Sequence, residues 1–149
     1  MKSLFAVLLL TTTSCWSFTC YFTMVKTNCW SDYDVTVDVM DAKEGNKLFS
    51  ITVPKGQLWT RQTFDCNEGQ TLMYVAQFSP IFWDKDKGKT YSAQRVWFLP
   101  ETIAPGASAW NVSVCYPNDF SLVPMPPEAT SNCQCDFKSI PVIPPKQLP

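Results

Sequence analysis

The sequence predicts an all-β chain folded as a single antiparallel β-sandwich, immunoglobulin-like in general architecture, with about seven to eight short strands stapled by disulfides. Three observations carry that expectation. Apolar and polar residues alternate with period two in short runs, most clearly across Tyr33–Val39 and Phe49–Val53, the mark of strands with one buried face. Turn-forming residues recur about every eight to twelve positions. No stretch of useful length carries the 3.6-residue apolar period of an amphipathic helix.

Residues 1–17 stand apart from that pattern. Met1–Ser3 form a short n-region, Leu4–Leu10 an apolar h-region and Thr11–Ser17 a small polar stretch. This is the layout of a secretory signal peptide, with an apolar part too short to span a bilayer. Cleavage is expected between Ser14 and Phe18. Lipoprotein processing at Cys15 is the minority alternative, because Thr12 stands where a bulky aliphatic residue is expected. No other segment is apolar enough to cross a membrane. The expected location is secreted or periplasmic.

The sandwich is expected over residues 18–116. Phe18–Lys26 reads as a first strand, with Cys20, Phe22 and Met24 on one face and Tyr21 and Val25 on the other, and Thr27–Asp32 turns the chain. Tyr33–Val53 is a hairpin. Opposed residues share a face, so its register must pair odd positions with odd: Val39 with Phe49, Val37 with Ile51 and Val35 with Val53. Lys43–Gly45 is then a short loop in which Gly45 supplies a positive φ. A slip by one residue would turn the aspartates into the core.

Pro54–Gly56 is a tight turn, and Gln57–Phe64, Thr71–Phe78, Thr90–Leu99 and Ala109–Tyr116 supply the remaining strands. Thr90–Leu99 is apolar on both faces and is expected to be a central strand covered on both sides. From Pro117 the prolines recur too often for a central strand. Residues 117–149 are therefore expected as an extended Pro-rich tail, tethered through Cys133 and Cys135 and loose beyond Ile140.

Of seven cysteines, Cys15 falls in the leader, which leaves Cys20, Cys29, Cys66, Cys115, Cys133 and Cys135 as an even set. Zinc is not expected, because the chain has no histidine and no CxxC pair. Three disulfides and an oxidising compartment are expected instead. If consecutive strands alternate in direction, Cys29 and Cys115 fall at one end of the sandwich and Cys66 at the other, nearer Cys20. Cys133 and Cys135 are too close for easy bonding to each other in extended geometry. The expected pairing joins Cys20 to Cys66, and Cys29 and Cys115 to Cys133 and Cys135 in some order.

The absence of histidine excludes Ser-His-Asp and Cys-His nucleophilic machinery. Carboxylate chemistry survives in principle, but Asp32, Asp34, Asp38, Asp65, Glu68 and Glu101 all fall at turns or on polar strand faces. Asp84–Gly88 departs from a calcium loop in the place of its glycine and in its interleaved lysines. Asn111-Val112-Ser113 matches the N-glycosylation acceptor, inside an expected strand. A net charge of −1 with scattered lysines gives neither a nucleic-acid footprint nor a polybasic membrane patch. No cofactor and no metal is expected.

Aromatic residues are the remaining candidates. Trp30, Trp59, Phe82 and Trp83 are expected to line an exposed surface for a protein, lipid or glycan partner, the alternative being that Ile81–Trp83 cap the open end of the sandwich. Trp97 and Trp110 follow strand alternation into the core. The expected function is non-enzymatic recognition of a protein or cell-surface partner through loops on a rigid sandwich. A carrier holding a lipid or small hydrophobe between the sheets is the alternative, and a carboxylate-based glycan-acting enzyme the third. In size and cysteine number the chain resembles secreted lipid-binding sandwiches of the MD-2-related class, which implies the carrier reading; cysteine spacing and turn motifs differ from that class.

Overall fold

The computed structural model describes residues 18–129 and 132–143. The expected signal peptide and Cys15 lie outside the described residues. The strands are β1 (Phe18–Lys26), β2 (Asp34–Asp41), β3 (Lys47–Val53), β4 (Trp59–Cys66), β5 (Thr71–Ser79), β6 (Tyr91–Ser92), β7 (Trp97–Phe98) and β8 (Trp110–Tyr116). They form two sheets. One has the order β4-β1-β8, and the other runs β3-β2-β5-β6 with β7 also paired to β5. All pairings are antiparallel except β1 with β8, which is parallel.

Each sheet turns one parity of residue inward. From the first come Cys20, Phe22 and Met24 of β1 and Val112, Val114 and Tyr116 of β8; from the second, Val35, Val37 and Val39 of β2 and Leu72, Tyr74, Ala76 and Phe78 of β5. Aromatic rings interlock between these layers. Phe22 meets Phe49 and Tyr74 edge-on at 5.7 and 5.9 Å, and Tyr74 meets Phe120 at 5.6 Å. The hairpin register is the expected one, Val39 opposite Phe49, Val37 opposite Ile51 and Val35 opposite Val53. A bulge after Val39 shifts the end of the ladder, so the loop closes through Asp41 N–H to Asn46 C=O instead of on Lys43–Gly45 alone. Gly45 has φ 75°. The Asp41 carboxylate accepts the Lys43 and Glu44 amides at 2.9 Å, which holds the turn.

The disulfides are Cys20–Cys66, Cys29–Cys133 and Cys115–Cys135. The first links β1 to β4, and the other two bring the tail to one end of the sandwich. Between them Gln134 exchanges hydrogen bonds with Asn28, its N–H donating to the Asn28 side-chain oxygen at 2.9 Å.

One expectation changes. The segment Thr90–Leu99 is not a central strand: it breaks into β6 and β7 at the edge of the larger sheet, and Phe98 is 74% exposed. The Ala93 amide still donates to Tyr74 of β5, but Ala93 also bridges Phe120, and Gln94 bonds Asp119 and Phe120 through its amide and side chain, so the strand ends there. The tail is tethered through Cys133 and Cys135 as expected, and its first residues also reach the core. Phe120 is a core residue, and the Glu128 carboxylate accepts the Tyr33 hydroxyl. Beyond Cys135 the tail crosses the outer face of the smaller sheet to Pro141, where its carbonyl accepts from Arg61 at 2.8 Å. Thr23 and Val25 point to that outer face yet are buried.

Candidate functional site

The end of the sandwich where β1 stops and β2 begins holds most of the features that bear on function. Phe18–Lys26 is an apolar strand by parity up to Met24, and the next even position is Lys26. Its ammonium is therefore carried inward, where it donates to the main-chain carbonyls of Tyr33, Val53 and Pro54. These carbonyls come from the start of β2 and from the end of β3 and its turn, so Lys26 ties three segments together. Burial pulls its pKa down to about 8, against the favourable fields of Asp34 and Asp32.

The same end holds an aromatic cluster. Trp30, on the short 3₁₀ turn Asn28–Trp30, contacts Phe78, Tyr116, Tyr33 and Phe82 at centroid distances of 4.8, 4.8, 5.2 and 5.6 Å. Phe82 also packs on Phe78 at 4.8 Å and Tyr33 at 5.2 Å. Tyr91 stacks on the far side of Phe78. Burial holds the Tyr116 phenol well above its usual pKa, and burial together with Glu128 pushes Tyr33 up to about 12. Among the described residues, neither the Tyr116 hydroxyl nor the Trp30 indole N–H has a hydrogen-bond partner.

The four aromatic candidates thus part company. Trp30 is a core residue, because the 3₁₀ turn folds it beneath Phe82 and between the sheets, and it lines no exposed surface. Phe82 caps the open end of the sandwich. Trp83, its neighbour, is 58% exposed. Its carbonyl accepts the Asp86 amide at 2.9 Å and the Asp86 carboxylate takes the Lys89 ammonium at 2.8 Å, which braces the loop after Trp83, while the packed Phe82 ring anchors it before. Trp59 lies elsewhere, half-buried on the outer face of the smaller sheet. There the Arg61 guanidinium sits over the Tyr21 and Trp59 rings at 6.0 and 5.8 Å while its Nε donates to Thr23.

Leu122 was not among the candidates. It is 95% exposed, with φ 59°, a backbone region that bulky residues avoid. The flanks explain how it is held: Phe120 is in the core, the Ser121 amide donates to Ser92 at 2.9 Å, and Val123 packs back against the core. Leu122 borders a shallow pocket with Lys89, Thr90, Tyr91, Ser92 and Ser121, next to the loop that carries Trp83. Met125 is also exposed, its sulfur 3.9 Å from that of Cys133. Nothing in the sequence marks Leu122, because its backbone conformation comes from contacts to β6.

The acids are mostly engaged with the scaffold. Asp34 accepts the Lys55 amide, Asp38 the Ser50 hydroxyl, and Asp119 the Cys115 amide. Among the described residues, no group of three or more metal-ligating side chains comes together, and no helix is long and apolar enough to cross a membrane. No family model, curated protein or solved structure compared with this chain matches it.

Proposed function

We propose that this chain is an exported, non-enzymatic binding protein that presents one end of a disulfide-stapled sandwich to a protein partner, in the periplasm or outside the cell. One observation carries the reading: Trp83 and Leu122 are exposed apolar side chains on segments whose neighbours are locked into the core. An exposed tryptophan on a braced loop loses little conformational entropy on binding, which is the property of an interface anchor. Leu122 adds an apolar side chain held in a strained backbone region, a cost that folding alone does not require.

Two further facts support recognition over the other readings. The space between the sheets is occupied by Phe22, Phe49, Tyr74, Trp30, Tyr116 and Phe120, where a carrier would hold its lipid. The carboxylates of Asp34, Asp41 and Asp119 hold turns and strand ends and that of Asp38 pairs with Ser50 across the β2–β3 ladder, which is not the arrangement of an acid pair flanking a cleft. Three disulfides fit an oxidising compartment.

The test compares immobilised wild-type protein with a Trp83→Ala, Leu122→Asp double variant in capture from cell-envelope and culture-medium extracts. Proteins retained by the wild type and lost from the double variant, at an unchanged unfolding temperature, support the reading. Identical capture by both would remove it.

A further inference from the structure

A sheet edge is a row of unpaired backbone donors and acceptors, and proteins blunt such edges with bulges, lysine, proline, short strands or covering segments. Three of the four edges here are blunted. β3 starts at Lys47 beside a bulge and ends against Pro54. β6 and β7 are two residues each. On β8, Asp119 takes both backbone groups of Cys115: its carboxylate accepts the amide at 2.7 Å and its own amide donates to the carbonyl at 2.9 Å. Among the described residues, β4 has no bulge, proline, lysine or covering strand along its edge, and its charged side chains are Arg61 and Asp65. It runs for eight residues.

Its free edge can be assigned residue by residue. The Lys26 amide donates to the Leu58 carbonyl at 2.9 Å, in register with the β1–β4 ladder. In an antiparallel ladder such pairs alternate, so Leu58, Thr60, Gln62 and Phe64 bond β1. Trp59, Arg61, Thr63 and Asp65 therefore turn their N–H and C=O groups away from β1, and no described residue pairs with them. Their side chains all project on the outer face of the sheet, beside Tyr21.

We propose that two copies of this chain pair through β4, antiparallel about a two-fold axis at Thr63, joining the two smaller sheets into one continuous six-stranded sheet. Charge complementarity selects this occupant and this register. With the axis at Thr63, Arg61 of each copy lies opposite Asp65 of the other, and Thr63 lies opposite Thr63. Opposite charges and paired threonines are both favourable cross-strand neighbours. An axis at Arg61 would set two guanidiniums against each other, and one between Arg61 and Thr63 would set Asp65 against Trp59. Asp65 is exposed and makes no ion pair among the described residues, so its carboxylate is available, and Arg61, whose Nε and Nη1 donate to Thr23 and Pro141, has its Nη2 left for the pairing. The contact is isologous and closes on itself, leaving no further copy of β4 to add.

The experiment is the mass of the oxidised protein by light scattering along a dilution series, for wild type, Asp65→Arg, Arg61→Asp and an equimolar mixture of the two variants. Each variant alone sets like charges opposite twice, and should weaken the dimer by about tenfold or more. In the mixture every facing pair is again of opposite sign, so a heterodimer should return. Thr63→Pro, which removes an outward N–H without touching the β1 ladder, should give a monomer that unfolds close to the wild-type temperature. A wild type that is monomeric throughout overturns the proposal, including the case where another strand covers β4. So does a dimer that Asp65→Arg leaves intact, or a mixture that stays monomeric while both variants are folded.

Discussion

The Lys26 ammonium donates to the main-chain carbonyl of Pro54 at 3.0 Å, at the end of a buried side chain. Together with its bonds to Tyr33 and Val53, this fixes where β1, β2 and β3 meet. Replacing Lys26 by methionine keeps the aliphatic stem but removes the ammonium from the Tyr33 and Val53 carbonyls, while the Pro54 carbonyl keeps the Gln57 amide at 3.0 Å. Hydrogen bonds to a charged group contribute about 1.5–3 kcal/mol, so Lys26→Met is expected to cost at least about 2 kcal/mol. Chemical denaturation checks this, and an unchanged midpoint would mean the carbonyls do not depend on Lys26.

The same lysine sets a pH dependence. Its folded pKa is about 8, against 10.5 for the free side chain. Between those values the unfolded chain holds more protons, so stability rises with pH across that window. Tyr33 acts in the opposite sense higher up. Its folded pKa of about 12 exceeds the ordinary 10, so its contribution is complete below pH 10 and is lost as pH climbs towards 12. The expected profile rises from pH 8 to about 10 and then falls. In Lys26→Met the rise should vanish while the fall remains, as read by thermal unfolding in a series of buffers.

Phe82 and Trp83 are adjacent in sequence and opposite in destination. Phe82→Ala removes a ring packed against Trp30, Tyr33 and Phe78 and should cost about 3 kcal/mol. Trp83→Ala removes a mostly exposed side chain and should stay within about 0.5 kcal/mol. A comparable loss for both would place Trp83 in the fold instead of on its surface.

Those two residues also mark how far the sequence could be read. Alternation of Val35, Val37 and Val39 with aspartates and threonine declares both a strand and its buried face, so the hairpin register followed from parity. Strand direction paired Cys20 with Cys66 and sent Cys29 and Cys115 to Cys133 and Cys135, but which joins which is set by the path of the tail. The failures have a different physical origin. Phe82 and Trp83 lie in a loop, where no period says which side chain turns inward. Thr90–Leu99 has strand composition, but Phe120 competes for its backbone, a contact no local pattern records. Lys26 has the parity of Cys20, Phe22 and Met24, and only its charge argues against burial. Leu122 and Arg61 owe their roles to contacts with distant β6 and the tail.

The tail's attachment gives a separate test. Cys115–Cys135 holds the segment that covers Thr23 and Val25, with the Arg61 bond to Pro141 at its far end. Replacing both cysteines with serine should cost about 2–3 kcal/mol and should speed tryptic cleavage after the exposed Lys138. Cleavage at the wild-type rate would show that the disulfide does not hold this segment in place.

The most direct measurement is a hydrogen-exchange footprint of the oxidised protein with and without a partner captured through the Trp83 end. Binding there should slow exchange in Ile81–Lys89 and Ser121–Met125 while the outer face of β1 and β4, with Tyr21 and Trp59, is unchanged. Protection confined to Tyr21, Trp59 and Arg61, with both loops unaffected, would contradict the assignment of recognition to Trp83 and Leu122.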